Sequence, residues 1–357
     1  MKRRELLTGT AALAALAGCA APETRAPTTA TAPAMPDSLQ RIAFGSCCDQ
    51  NLPQPIWETV LAGKPELFLF GGDNVYASAQ PWSLTQLEAA YTKQDAVPAF
   101  ARLKATVPHL AIWDDHDYGS NDGGVEFPQK QAAKDAFLSF WRVPAGDERR
   151  GREGLYHARV FGAAGRRVQV IIPDIRWFRS RWKPTDERGA AGKERYLPDA
   201  DPAKTMLGEV QWRWLEEQLR QPAELRLVFS SIQVLAEGHG WERWGNFPLE
   251  RARLLKLLAR ANGVVLLSGD RHIGAIYRES AGLPYPLYEV TASGFTHPWG
   301  GASEPGPNRV GDLFTEQHYG TVEIDWRSGE VRLALRDGRG EPSRSQLLNF
   351  NQMKASA

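Results

Sequence analysis

Four short apolar runs in this chain end in residues able to bind metal ions. The run His109 to Trp113 leads directly into Asp114, Asp115, His116 and Asp117. Three carboxylates and an imidazole held together repel one another, and the carboxylate pKa values rise unless a cation compensates. A solvated acidic turn is the bland alternative for such a cluster taken alone. Three more runs have similar endings, Phe44-Gly-Ser-Cys47, Phe70-Gly-Gly-Asp73-Asn-Val-Tyr76 and Leu267-Ser-Gly-Asp270-Arg-His272. Read as strand ends, all four meet at the carboxyl edge of a sheet, where open α/β folds place their sites. The chemistry this predicts is metal-dependent hydrolysis.

The ligand types differ in softness. A thiolate suits iron or zinc better than calcium or magnesium, so Cys47 argues for one transition metal. Carboxylates and an amide oxygen suit a hard cation beside it. Asp73 and Tyr76, three apart, would share a face in the first turn of a helix. Asp270 and His272, two apart, would point the same way from extended backbone. Asp73 is the candidate to bridge two cations. Arg176, in Asp174-x-Arg176-x-x-Arg179, either clamps a phosphate oxygen bidentately or pairs with Asp174, whereas Arg179 reads as structural. His239, with Trp241 and Trp244, either lines a substrate pocket or packs a loop. His297 and His318 carry no assigned role, and Cys48 reads as a small buried apolar residue.

These groups need elements to position them, and 357 residues suffice for a sizeable core. The 43 basic and 42 acidic residues leave a net charge of +1, which gives no support for a nucleic-acid partner or a polybasic membrane surface. Three cysteines make no disulfide framework. A vicinal Cys47–Cys48 bridge would be strained, so a free thiolate at Cys47 is preferred. Strands are expected at Arg41–Phe44, Leu67–Phe70, His109–Trp113, Val168–Ile172, Leu225–Ser230 and Val264–Leu267. Helices are expected at Pro55–Leu61, from Ser83 to about Lys104 with a break near Pro98, and at Gln129–Trp141, Leu207–Leu219 and Pro248–Ala261. Lys183 to Lys204 reads as a loop over the site. Tyr319–Asp325 and Glu330–Leu335 form a closing hairpin. Alternating β and α with β pairs at the end implies a sheet sandwich flanked by helices.

The first 18 residues read as an export signal. Lys2-Arg3-Arg4 precedes an apolar stretch, Leu6 to Ala17, too short to span a bilayer. Arg3-Arg4-Glu-Leu-Leu7 resembles a twin-arginine signal, and Leu16-Ala-Gly-Cys19 resembles a lipobox. Cys19 would then carry the lipid that anchors the protein to a membrane of the bacterial cell envelope, on the periplasmic or outer side. A plain secretory signal cleaved nearby is the alternative. Residues 19–40, rich in Ala, Pro and Thr, read as a flexible tether, and 41–357 as one catalytic domain.

Taken together, Gly72-Asp73-Asn-Val-Tyr76, Trp113-Asp-Asp-His-Asp117 with Asn121, and Ser268-Gly-Asp-Arg-His272 resemble the alkaline phosphatase D (PhoD-like) family of metallophosphoesterases. Gly45-Ser-Cys47 and the Asp174–Arg179 segment also match that pattern, in family order. The resemblance implies a four-layer αββα sandwich of the metallophosphatase type. It also implies a site holding ferric iron (Fe3+) with calcium (Ca2+) that hydrolyses phosphate mono- and diesters. Cys47, Asp73, Tyr76 and His272 would hold the iron, with Asp73 bridging, and Asn121 and Asp270 the calcium. Asp115 stands where related enzymes carry a metal-binding Asn, and His116 where they carry a histidine facing the leaving group. Attack on phosphorus by a metal-bound oxide or hydroxide is the expected mechanism. An envelope lipoprotein that binds metal or phosphate without turnover is the alternative.

Overall fold

The computed structural model describes residues 33–355. The export signal, the lipobox with Cys19 and most of the tether lie outside the described residues.

Apolar runs of five residues, each checked by glycine, serine or a charged turn, become the central strands. In chain order the first elements are β1 (Arg41–Gly45), α1 (Ile56–Ala62), β2 (Leu67–Gly71), α2 (Leu84–Asp95), α3 (Pro98–Thr106), β3 (His109–Ile112), α4 (Asp115–Tyr118) and α5 (Lys130–Phe140). There follow β4 (His157–Phe161), β5 (Val168–Ile172), the two-residue strands β6 (Lys183–Pro184) and β7 (Tyr196–Leu197), α6 (Gly208–Leu219), β8 (Leu225–Phe229), α7 (Pro248–Leu258) and β9 (Val264–Ser268). The chain closes with β10 (Gly274–Glu279), β11 (Leu287–Ala292), β12 (His318–Asp325), β13 (Glu330–Asp337) and β14 (Pro342–Asn349). Ser83 caps α2 by accepting the Gln86 amide at 3.3 Å, and Pro98 opens α3 instead of merely kinking one long helix.

Two six-stranded mixed sheets result, ordered β14-β13-β12-β1-β2-β3 and β10-β11-β9-β8-β5-β4. Strands β1, β2 and β3 run parallel, as do β5, β8, β9 and β11. Every residue of β2, β5, β8 and β9 is buried, the pattern of strands covered on both faces. The sheets meet face to face, with the Phe44 and Phe229 rings edge to face at 5.6 Å. Gly71 is required there, since a Cβ would lie 2.2 Å from the Phe229 ring. On the outside, Trp57 of α1 packs on Phe68 of β2 and Phe100 of α3, while α6 is tied to β5 by Gln169 bonding the Gln218 carbonyl. The architecture is the expected four-layer αββα sandwich.

Some local expectations fail. Asp73 to Tyr76 forms no helical turn: Asp73 has φ 48°, which breaks the backbone out of both strand and helix. Asp270 and His272 are not extended but left-handed, at φ 69° and 56°. The Lys183–Lys204 loop contains the small β6–β7 hairpin, and the closing hairpin gains a third strand, β14.

Candidate metal centre

The loops after β1, β2, β3 and β9 all open at one edge of the sandwich and bring their polar residues together. Glycines make this approach possible. A Cβ on Gly72 would sit 2.5 Å from Cβ of Asp114, and one on Gly269 would sit 2.4 Å from Oγ of Ser46. Cys47, Asp73, Asp270 and His272 all have positive φ. Such backbone is uncommon outside glycine and gathers at functional sites, where the surrounding fold holds it.

The first cluster joins Cys47, Asp73 and His272, whose donor atoms lie within 4.8 Å of one another. Cys47 Sγ is 3.6 Å from Asp73 Oδ2. The Tyr76 hydroxyl lies 3.3 Å from the same oxygen and 3.1 Å from His272 Nε2. Sulfur, carboxylate, phenol and imidazole thus face one point. Burial, with Asp73 close by, pushes the Cys47 thiol up, and burial with Cys47 pushes the Tyr76 phenol up. Burial, aided by His297 and Arg271, holds His272 down at about 3, so its imidazole is neutral and able to ligate. A cation here would displace the thiol and phenol protons.

The second cluster joins Asp73, Asp115 and His116, again within 4.8 Å. Burial works to raise Asp115, but His116, Arg176 and the Asp122 amide outweigh it and hold the carboxyl at about 2. Its Oδ1 has no hydrogen-bond partner although buried. A third cluster joins Asp114, Glu242 and Asp270. Burial and then neighbouring carboxylates raise both Asp73 and Asp270. Buried carboxylates left with orphan oxygens and mutual repulsion are what a bound cation relieves, so the donor set fits metal ions. Asn121 stands exposed on the wall of the same cleft.

His116 sits on α4 with Nδ1 2.7 Å from Ser78 Oγ, and its ring packs against Tyr76 at 4.1 Å with the planes tilted by 33°. Its backbone amide donates to Asp73 Oδ1 at 3.1 Å. Asp117 does not enter the cleft. Its carboxylate accepts from the Asp73 and Asp114 amides at 3.2 and 2.7 Å and from Asn74 Nδ2 at 2.6 Å, bracing two loops.

Two expectations about substrate contacts need correction. Arg176 is wholly buried. Its Nε donates to Asp114 Oδ1 at 2.6 Å and its Nη1 to Glu242 Oε2 at 2.8 Å. Asp174 accepts only its backbone amide. The guanidinium is consumed by these carboxylates and is not free to clamp a phosphate. His239 is also buried, between the Gln233 side chain and the Trp241 amide. Burial, then Arg271, lowers its pKa well below the usual value, so it belongs to a packed polar network.

The cleft is lined instead by Arg195, Trp241, Arg271 and Trp299, together with Asp73, His116, Asp270 and His272. His297 packs its ring 4.2 Å from His272 and 4.9 Å from Tyr76. Trp241 lines the cleft as one of the two sequence readings had it, Arg271 had a signal in lying between two ligand candidates, and Arg195 and Trp299 had none. Cys48 points elsewhere, donating to Gln54 at 3.3 Å, and burial raises its thiol.

The PhoD-like phosphatase family model matches residues 42–296. A search of curated protein sequences finds no match. Among solved structures, PhoD aligns with a TM-score of 0.65 at 17% identity, covering 89% of this chain and 70% of that one. A purple acid phosphatase from yellow lupin (Lupinus luteus) seeds aligns with a TM-score of 0.59 at 12% identity, covering 89% of this chain and 55% of that one. At these identities the two structures establish the fold, and the family rests on the match across residues 42–296: the chain belongs to the PhoD-like phosphatase family.

Proposed function

We propose that this protein is a metal-dependent phosphoesterase acting on phosphate mono- or diesters. The observation that carries the reading is the convergence of Cys47, Asp73, Tyr76 and His272 on one point. Thiolate and phenolate together suit a transition metal better than calcium or magnesium, and the family resemblance makes it ferric iron. Asp270, Asn121 and Asp115 supply oxygen donors for a hard cation beside it, which the resemblance makes calcium.

Bound there, the cations would supply Lewis acidity at the phosphoryl oxygens and lower the pKa of water. The protein's own groups do the rest. Ser78 fixes the His116 ring through Nδ1, leaving Nε2 to hold a proton for the departing alcohol oxygen. The His116 amide and the Asp117 brace fix Asp73. The test is metal analysis together with turnover of a monoester and a diester, in the native protein and in Asp73→Asn. Metal-loaded protein that turns over neither ester would leave the binding-only lipoprotein as the reading.

The proposal places this activity at the bacterial envelope, anchored through Cys19. The motif Leu16-Ala-Gly-Cys19 behind a twin arginine supports it. Labelled lipid should be incorporated at Cys19, and Cys19→Ser should release a soluble form.

A further inference from the structure

Resting on the phosphoesterase reading, we propose that Arg195 and Arg271 form a second anion-recognition site at the mouth of the cleft. It would take a phosphate or carboxylate carried by the alcohol part of the ester. Both arginines line the same cleft as Asp73, His116, Asp270 and His272. Arg195 arrives from the β6–β7 hairpin and Arg271 from the loop after β9, so two separate elements deliver positive charge to one spot.

Each guanidinium is anchored but not used up. Arg195 donates through Nη1 to Asp122 Oδ2 at 2.6 Å, and Arg271 is paired through Nη2 with Glu304. A guanidinium has five N–H donors in a fixed fork, so both keep donors for a ligand. Arg271 is only 7% exposed and its buried Nε has no partner. The Glu304 contact therefore does not saturate the Arg271 guanidinium, whose side chain lines the cleft. Trp241 sets the spacing, with the two guanidinium carbons 4.9 and 4.8 Å from its ring. Cation–π contact holds both cations against one indole, although they repel each other until an anion binds.

The geometry also limits the ligand. The cleft holds about 220 Å³ and adjoins a hollow of about 360 Å³ that shares Asn121, Asp122 and Arg195, so the limit comes from where the arginines sit and not from volume. Arg271 is chain neighbour to both Asp270 and His272. A second anion therefore has to sit a few bonds from the phosphorus under attack. Phosphate esters of short alcohols bearing another phosphate or a carboxylate fit this description. An uncharged alcohol would leave the arginine donors unmatched.

The test compares kcat/KM of the metal-loaded protein for propyl phosphate, 3-phosphooxypropanoate and propane-1,3-diol bisphosphate. Calorimetry with propylphosphonate, propane-1,3-bisphosphonate and phenylphosphonate reads binding without turnover. The doubly anionic esters should exceed propyl phosphate by about 10-fold, corresponding to ~1.4 kcal/mol, and the bisphosphonate should bind more tightly by a similar factor. Whichever of carboxylate and phosphate gains more identifies the natural anion. Arg195→Gln should remove most of the gain, and Arg195→Lys should keep part of it. The Arg195 side chain is 32% exposed, and a melt of each variant confirms folding. Equal rates for charged and uncharged alcohols, or a ratio unmoved by Arg195→Gln, would overturn the proposal. So would phenylphosphonate binding more tightly than propane-1,3-bisphosphonate, which would assign the mouth to stacking on Trp299. Failure to hydrolyse any ester would sink the phosphoesterase reading instead, and the calorimetric ranking would still decide the arginine pair.

Discussion

The hydroxyl of Tyr76 stands 3.1 Å from Nε2 of His272, although 196 residues separate the two. Tyr76 follows β2 in the first sheet and His272 follows β9 in the second. The donor set therefore exists only once the two sheets have packed. A phenolate on ferric iron gives a visible charge-transfer band, so iron-loaded protein should be coloured. Tyr76→Phe should remove the phenolate band, leaving only the thiolate absorption from Cys47, with the fold intact because the lost hydroxyl supports no strand. A colourless preparation, fully active with zinc or calcium alone, would refute the iron assignment.

The adjacent cysteines should behave oppositely. Cys47 lies in the donor cluster, whereas Cys48 contacts Gln54 and Gln94 on another side. Cys47→Ser should lose the transition metal and most activity, since a hydroxyl is a poor substitute for a thiolate. Cys48→Ser should retain bound metal and most turnover. Metal content measured by mass spectrometry on both variants checks this.

Arg176 makes a prediction about stability rather than binding. Asp114 and Glu242 lose their shared cation in Arg176→Met, and removing one partner of a buried ion network costs roughly 3–5 kcal/mol. Denaturant melts of chelated protein should show the loss with no metal present. A phosphate clamp would instead raise KM with unchanged stability, and that outcome would reinstate it.

How far the sequence could be read depended on whether the signal was local. β2, β5, β8 and β9 are unbroken apolar runs, visible because both faces are buried. β14, Pro-Ser-Arg-Ser-Gln-Leu-Leu-Asn, is an edge strand with exposed and half-exposed polar residues, so neither composition nor alternation marks it. β10 begins two residues after His272 and was hidden behind the motif. Cys47, Asp73, Tyr76, Asp270 and His272 were recognisable because each closes an apolar run. The side-chain partners of Arg176 were not, because Asp114 and Glu242 lie 62 and 66 residues away and only packing brings them together. Arg195 sat in a polar stretch with no periodicity, and only the β6–β7 hairpin aims it at Asp122.

His157, on β4 and remote from the cleft, should make the fold acid-sensitive. Its Nδ1 donates to the Leu155 carbonyl at 2.9 Å, while its buried Nε2 has no partner. Burial, then Arg149, lowers its pKa from 6.5 to about 3. Below pH 6.5 the unfolded chain takes up a proton that the folded protein refuses, so stability falls with pH from there toward 3. The slope is about 1.4 kcal/mol per pH unit, or roughly 2 kcal/mol by pH 5. Chelated wild type and His157→Gln should therefore differ in their pH 8 to pH 5 stability loss by about that amount. Identical losses would show that His157 does not titrate on unfolding.

His116 decides the chemistry of departure. Its Nδ1 is committed to Ser78 at 2.7 Å, its amide to Asp73, and the ring lines the cleft. An alkoxide leaves poorly without a proton, whereas nitrophenolate departs readily as an anion. General acid catalysis contributes roughly 10²- to 10⁴-fold, and that factor should appear only where the leaving group needs it. His116→Asn should then slow alkyl phosphate hydrolysis by about 100-fold or more, and nitrophenyl phosphate hydrolysis far less. If His116 serves only to orient Asp73 or Asp270, both substrates should lose rate equally and metal content should drop. The comparison must be made at full metal occupancy, where equal losses for the two esters would rule out the leaving-group role. Ser78→Ala supplies a milder version of the same test: it removes the Nδ1 partner but keeps the imidazole, so alkyl esters should again suffer more than nitrophenyl esters.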